Sequence, residues 1–186
     1  MVHVRFAPSP TGRLHPGNAR TALVNALFAR RHGGRFTLRI DDTDPAREEP
    51  GAVDAIRFDL AWLGIPPDDE RRQSRRGERY RDAASTLLGT GDAVEVDGAI
   101  RLRLGDAAIA WDDAVHGAMR VSLAHQNDPA LLRADGRATY TLASVVDDVD
   151  MAVSHVIRGD DHLTNTAVHR RLAAALGAEP PAFAHL

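Results

Sequence analysis

A chain of 186 residues, 44% of them hydrophobic and with a net charge of −3, can bury one full domain core and is not a generally basic, nucleic-acid-coating body. With no cysteine it excludes disulfides, a thiol nucleophile and a thiolate zinc site, and no apolar run approaches the roughly 18 residues of a membrane span. All 23 basic residues are arginine, which excludes any step needing a lysine ammonium from these residues.

Val2-His3-Val4-Arg5-Phe6 alternates apolar and polar residues and reads as a strand running into the turn Ala7-Pro8-Ser9-Pro10-Thr11-Gly12. A helix is expected from about Gly17 to His32, with Ala19, Ala22, Leu23, Ala26 and Leu27 as its apolar stripe and Gly33-Gly34 as its stop. Phe36 to Ile40 is a second strand, ending in the acidic turn Asp41-Asp42-Thr43-Asp44-Pro45. Val53, Ile56, Leu60 and Leu63 mark a second helix, closed by Gly64 and Pro66. This alternation of strands and helices favours an α/β fold with a parallel sheet and right-handed crossovers.

A third helix is expected from Glu78 to Leu88, with Tyr80, Ala84, Leu87 and Leu88 facing inward. From about Asp92 the texture changes to short β-like runs, 93–96, 99–104, 107–111 and 137–142, punctuated by the hairpin signals Asp97-Gly98 and Asp135-Gly136. The α/β pattern returns with a strand at Val153 to Ile157, a helix at Asn165 to Leu176 capped near Thr164, and a last strand at Ala182 to Leu186. The expected organisation is an α/β half over residues 1–91, a small β-rich insertion over 92–143, and a second half over 144–186. The start carries no signal-like apolar stretch, so a cytoplasmic protein is the expectation.

The turn from Arg5 to Gly12, stiffened by two prolines, delivers His15, Gly17 and Asn18 to the mouth of the first helix, where free backbone N–H groups and the positive dipole end make an anion site. Taken alone, His15-Pro16-Gly17 also fits an ordinary strand-to-helix turn. Asp160-Asp161-His162 follows a strand end, where open α/β sheets place ligands; with His155 these residues also admit a metal-cluster reading. Arg71, Arg72, Arg75, Arg76, Arg79 and Arg81 form a basic cluster that reads either as a solvated helical face or as a contact to nucleic-acid phosphates.

Several blocks together narrow this. His15-Pro16-Gly17-Asn18 resembles the first signature of class I aminoacyl-tRNA synthetases. Arg5 to Gly12, Arg39 to Asp44, Trp111-Asp112-Asp113, Val156 to His162, and Phe183-Ala184-His185-Leu186 resemble, in order, blocks of the glutamyl/glutaminyl branch. The resemblance implies a Rossmann-like nucleotide-binding domain that uses ATP with Mg²⁺ to activate glutamate as glutamyl-adenylate for ligation to a tRNA acceptor end. It implies that Arg5, Ser9, Asp41, Tyr140 and Arg158 surround glutamate, Asp41 facing its ammonium and Arg158 its side-chain carboxylate. Glutaminyl members lack that arginine, and the rival for Arg158 is an ion pair with Asp160 or Asp161. Ala7, Pro8, Ser9, Thr11, His15, Gly17, Asn18 and Asp161 would bind ATP, with His15, Gly17 and Asn18 also in the catalytic signature.

The departures are a shortened insertion, no cysteine zinc set, and no lysine-bearing second signature loop in these residues. Asp44 to Gly51 also resembles the short relatives that charge a modified base on tRNA-Asp. Besides a ligase, the sequence therefore admits a binding-only relative or a trimmed catalytic fragment. It sets no oligomeric state.

Overall fold

The computed structural model describes all residues from 1 to 186. In chain order the elements are β1 (His3–Phe6), α1 (Pro16–Arg31), β2 (Arg35–Ile40), α2 (Ala52–Trp62), β3 (Asp69–Arg72), α3 (Gly77–Thr90), β4 (Ala93–Val96), β5 (Ala99–Leu102), β6 (Ala108–Asp113), β7 (Gly117–Ser122), β8 (Ala130–Leu132), α4 (Tyr140–Asp150), β9 (His155–Arg158), α5 (Leu163–Ala175) and β10 (Ala182–His185). β1, β2 and β3 pair in parallel, in that spatial order. β9 and β10 are parallel as well, and β10 carries β6 and then β7 on its other side.

The two sheets meet where β1 lies beside β9: Ser154 N donates to His3 O at 2.9 Å, and His3 N donates to Ser154 Oγ at 2.8 Å. From that junction one half of the chain builds outward through β2 and β3, the other through β10. This is a topological switch point, and the crevice beyond the carboxyl ends of β1 and β9 is where such a sheet accepts a ligand.

The sequence explains the first half directly. Val4 and Phe6 of β1, Phe36, Leu38 and Ile40 of β2, and Ile56 and Leu60 of α2 share one buried cluster, joined by Ile157 from β9. α1 presents the small residues Ala22, Ala26 and Ala29 to the sheet, so helix and strands approach closely. It ends in a Schellman turn: Gly33 adopts φ +58°, Gly34 N donates to Ala29 O at 2.8 Å, and Gly33 N donates to Arg30 O at 3.3 Å. Gly34 then passes against β1 so tightly that a Cβ there would lie 2.4 Å from the Val2 carbonyl oxygen. A second cluster of 22 residues joins α3, α4 and α5 to β4, β5, β6, β8 and β10.

Several expectations need correction. Asp69–Arg72, inside the stretch read only as a charge cluster, is a third parallel strand; with no apolar residue it carries no hydropathy signal, yet it completes the edge of β2. The run 137–142, expected as a strand, supplies one bridge at Ala138 and then the first turn of α4, whose helix was not anticipated. α4 buries Leu142 to Asp148 without a break, so its polar positions Ser144, Asp147 and Asp148 lie inside the fold and not on a solvent face. The expected division at 143/144 falls inside this helix. β7 and β8 were also unread, whereas the Asp97-Gly98 signal holds: both residues have positive φ, and Val96 pairs with Ala99.

Candidate active site

A cavity of about 660 Å³ opens at the β1/β9 junction, within the usual size of a small-molecule site. Its walls include Arg5, Ala7, Pro8, Ser9, Thr11, Gly17, Asn18, Asp41, Tyr140, Arg158 and Asp161. Every residue singled out from the sequence for glutamate or ATP is therefore on one surface, except His15. The His15 ring turns back to cap α1, its Nδ1 accepting from Gly17 N at 3.2 Å, and it is not part of the wall.

One wall is a buried charge network. Arg5 donates through Nε to Asp148 Oδ1 at 2.9 Å and through a terminal nitrogen to Oδ2 at 3.3 Å. Arg39 donates to the same Asp148 Oδ1 at 2.6 Å and forks onto both oxygens of Asp41, at 2.7 and 3.2 Å. Asp148 thus bridges two guanidiniums, and Arg39 keeps Asp41 aimed along the wall. Burial raises the Asp41 carboxyl to about 6 even though Arg39 and Arg5 pull it down. Asp41 remains mostly ionised at neutral pH, next to space a cation can enter. Asp147, one residue along α4, accepts from Tyr80 Oη and Gln73 Nε2, each at 3.0 Å.

Arg158, at the end of β9, is 5% exposed and has no carboxylate partner. Its fork is held by neutral acceptors: Thr166 Oγ1 at 2.7 Å, the His162 carbonyl at 3.2 Å, His185 Nε2 at 3.3 Å, and Tyr140 Oη and His169 Nδ1 at 3.4 Å each. Burial lowers its pKa below the ordinary guanidinium value, and burial with Arg158 alongside keeps His162 and His169 below theirs, His169 most. The rival ion pair is not formed: Asp160 bonds His116 Nε2 at 2.8 Å, and Asp161 lies 3.6 Å from His162 Nε2. A buried guanidinium on a cavity wall without an anion of its own has the charge and the fork to pair with a carboxylate.

The opposite wall is formed by the proline turn and the α1 start. Asp41 N donates to Pro8 O at 3.0 Å and Glu49 N to Pro10 O at 2.9 Å, tying the proline turn to the acidic turn. Sequence reasoning missed Arg20, Arg47 and Arg133, three guanidiniums on the same wall, because only the fold brings them together. Asp161 is exposed at the mouth, its Oδ1 2.5 Å from where a Cβ on Gly159 would stand, so glycine there gives the carboxylate its place.

The metal reading fails on geometry. No three potential ligands cluster, and His155 bonds Ser154 Oγ at the opposite end of β9 from Asp160. The basic cluster is not a single helical face: Arg71 pairs with Asp69, Arg72 lies 3.9 Å from Asp42, Arg76 pairs with Asp147 and Asp150, and Arg79 with Asp150, whereas Arg75 and Arg81 are exposed.

Known proteins share this arrangement. A family model described as tRNA synthetases class I (E and Q), catalytic domain, matches residues 1–99 and 94–186. Glutamate--tRNA ligase 2 of Xanthobacter autotrophicus is 45% identical over 225 aligned positions, covering 98% of this chain and 49% of the relative. Its namesake from Methylobacterium radiotolerans is 46% identical over 228 positions, covering 100% and 51%. A crystal structure of a glutamate tRNA ligase from Elizabethkingia meningosepticum, in complex with its amino acid, superposes with a TM-score of 0.95 at 32% identity, covering all of this chain and 49% of that one. The chain thus spans about half the length of the curated relatives it matches. Since 228 positions exceed the 186 residues present, the relative carries residues inside the matched span that this chain lacks. The two family-model matches meet at residues 94–99, on the tight β4–β5 hairpin.

Proposed function

The chain belongs to the family of class I tRNA synthetase catalytic domains of the E and Q type, and from that premise we propose that it binds glutamate and ATP and joins them as glutamyl-adenylate for transfer to a tRNA acceptor end. The observation that carries this reading is Arg158, a buried guanidinium that faces the cavity with no carboxylate of its own. A glutamate side chain supplies the missing carboxylate in two-point fashion; a glutamine amide would turn N–H groups toward a cation.

Asp41 then faces the ammonium, and the backbone carboxylate points toward the turn of Ala7 to Thr11 and the start of α1. There an oxygen of that carboxylate attacks the α-phosphate and pyrophosphate leaves, so no covalent enzyme intermediate is required. Gly17 and Asn18 offer the helix start to the phosphates, Arg20, Arg47 and Arg133 offer positive charge, and Asp161 accepts from the ribose. His15, whose Nδ1 accepts from Gly17 N, keeps Nε2 as a donor for this scheme. Mg²⁺ belongs with the ATP phosphates, where it neutralises charge; wall carboxylates Asp44, Asp160 and Asp161 form no cage, which suits an ion held chiefly by phosphate and water. The proposal retains a first nucleotide-binding half over 1–91 and an insertion from 92, with the second half best begun at α4. It also takes the activity to be cytoplasmic, as an expectation from the family. No helix is long and apolar enough to cross a membrane.

The test is glutamate-dependent exchange of pyrophosphate into ATP, with and without tRNA. Exchange is expected, slowed by about 10²–10³ because no lysine is available to meet the leaving pyrophosphate. No exchange under either condition from a folded sample contradicts catalysis. A second reading, a binding-only relative, predicts tight binding of a non-hydrolysable glutamyl-adenylate analogue without exchange.

A further inference from the structure

Arg158 receives one of its contacts from a pair deeper in the fold. His185, on β10, turns Nε2 to Arg158 Nε at 3.3 Å, while its Nδ1 lies 2.6 Å from Asp113 Oδ2. Both side chains are fully buried. Asp113 Oδ1 accepts from the backbone N–H groups of Val115, His116 and His185 at 3.0, 3.1 and 3.3 Å, which anchors the carboxylate to the end of β6. A carboxylate so served stays ionised, so the hydrogen between it and the imidazole belongs to Nδ1. Nε2 is then a lone pair, the only state that can accept from a guanidinium. Thr166 Oγ1, itself an acceptor for Arg158, lies 3.0 Å from the same nitrogen.

We propose that Asp113 and His185 are positioning residues for glutamate selection: Asp113 fixes the His185 tautomer, and His185 aims the Arg158 fork while leaving its charge for the ligand. The inference rests on the reading of Arg158 as the glutamate-side-chain receptor. Its physical content is the spacing. Asp113 is the anion nearest along this path, and one imidazole separates it from the guanidinium, so Arg158 is held without being neutralised. A direct Asp–Arg pair would fix the fork equally well and compete with the ligand's carboxylate. An Asn at 113 can instead donate to Nδ1, which moves the imidazole hydrogen to Nε2 and sets N–H against N–H.

The experiment titrates the 186-residue chain and its variants by calorimetry with non-hydrolysable glutamyl- and glutaminyl-adenylate analogues, and reads the ratio of the two affinities. Asp113→Asn and His185→Leu are expected to lower the glutamyl preference by about tenfold or more, the usual scale for losing a partner behind a binding ligand, with ATP affinity unchanged. His185→Gln, which keeps an acceptor toward Arg158, is expected to restore most of the preference. A ratio unchanged in Asp113→Asn and His185→Leu, but erased in Arg158→Leu, overturns the positioning role and spares the receptor reading. A ratio unmoved by Arg158→Leu overturns the receptor reading itself. Should the buried variants not fold, ring ¹⁵N NMR of the unsubstituted chain at neutral pH decides: His185 protonated at Nδ1 alone supports the proposal, and protonation at Nε2 overturns it.

Discussion

At the scale of single residues, the site works by unequal pairing of buried charge. Asp148 is shared by Arg5 and Arg39, Asp41 is forked by Arg39, and Arg158 has no carboxylate partner. Removing a shared counter-ion leaves buried cations uncompensated, so Asp148→Asn is expected to destabilise the fold by about 3–5 kcal/mol, measured by denaturant unfolding. A loss below about 1 kcal/mol would mean that water reaches both guanidiniums. Asp41 makes a pH prediction. Its folded value, about 6, lies above its ordinary 3.8, so its stabilising contribution is complete below 3.8 and is lost as pH rises through about 6. Binding runs the other way, since only the carboxylate attracts an ammonium. Glutamate affinity is expected to rise as pH increases from 5 to 7, and to lose that rise in Asp41→Asn. Arg5, Asp41 and Arg158 were legible because each sits in a motif whose neighbours are fixed in the sequence. Asp148 was not, because its role exists only once residues 5, 39 and 148 meet.

At the scale of elements, legibility followed the contrast between faces. α2 and α3 each bury one stripe that their sequences show, whereas α1 departs from expectation: Leu23 and Leu27 of the expected stripe are exposed, and its buried face is Ala22, Asn25, Ala26 and Ala29. α4 buries Ser144, Asp147 and Asp148 together with Leu142, Val145 and Val146, and the β-branched residues at its start follow a hairpin signal, so the stretch read as a strand. β3 is the opposite case: Asp69-Glu70-Arg71-Arg72 has no apolar residue and becomes a strand because β2 offers it an edge, with Asp68 Oδ2 accepting from Phe36 N at 2.8 Å. The exit from α1 is where local sequence and tertiary packing agree most closely. Gly33 needs its positive φ, and Gly34 needs its missing Cβ because Val2 lies against it. Gly34→Ala is therefore expected to cost about 2 kcal/mol or more, through displacement of the start of β1, and to lower the thermal midpoint. An unchanged midpoint would show that β1 shifts freely.

At the scale of the whole molecule, two halves meet at β1 and β9 and leave the cavity between them. The two family-model matches overlap on the β4–β5 hairpin, whose Gly98 packs against Ala134, next to the cavity-lining Arg133. The sequence made both halves legible through their strand–helix order, but their meeting, and the arginines it gathers, belong to tertiary structure. The most direct measurement of the central claim is a calorimetric titration of this chain and of Arg158→Ala with a non-hydrolysable glutamyl-adenylate analogue. The unsubstituted chain is expected to bind it, and the variant to lose about 2–5 kcal/mol, the cost of unpairing a buried carboxylate. Equal affinity in the two proteins would contradict the account.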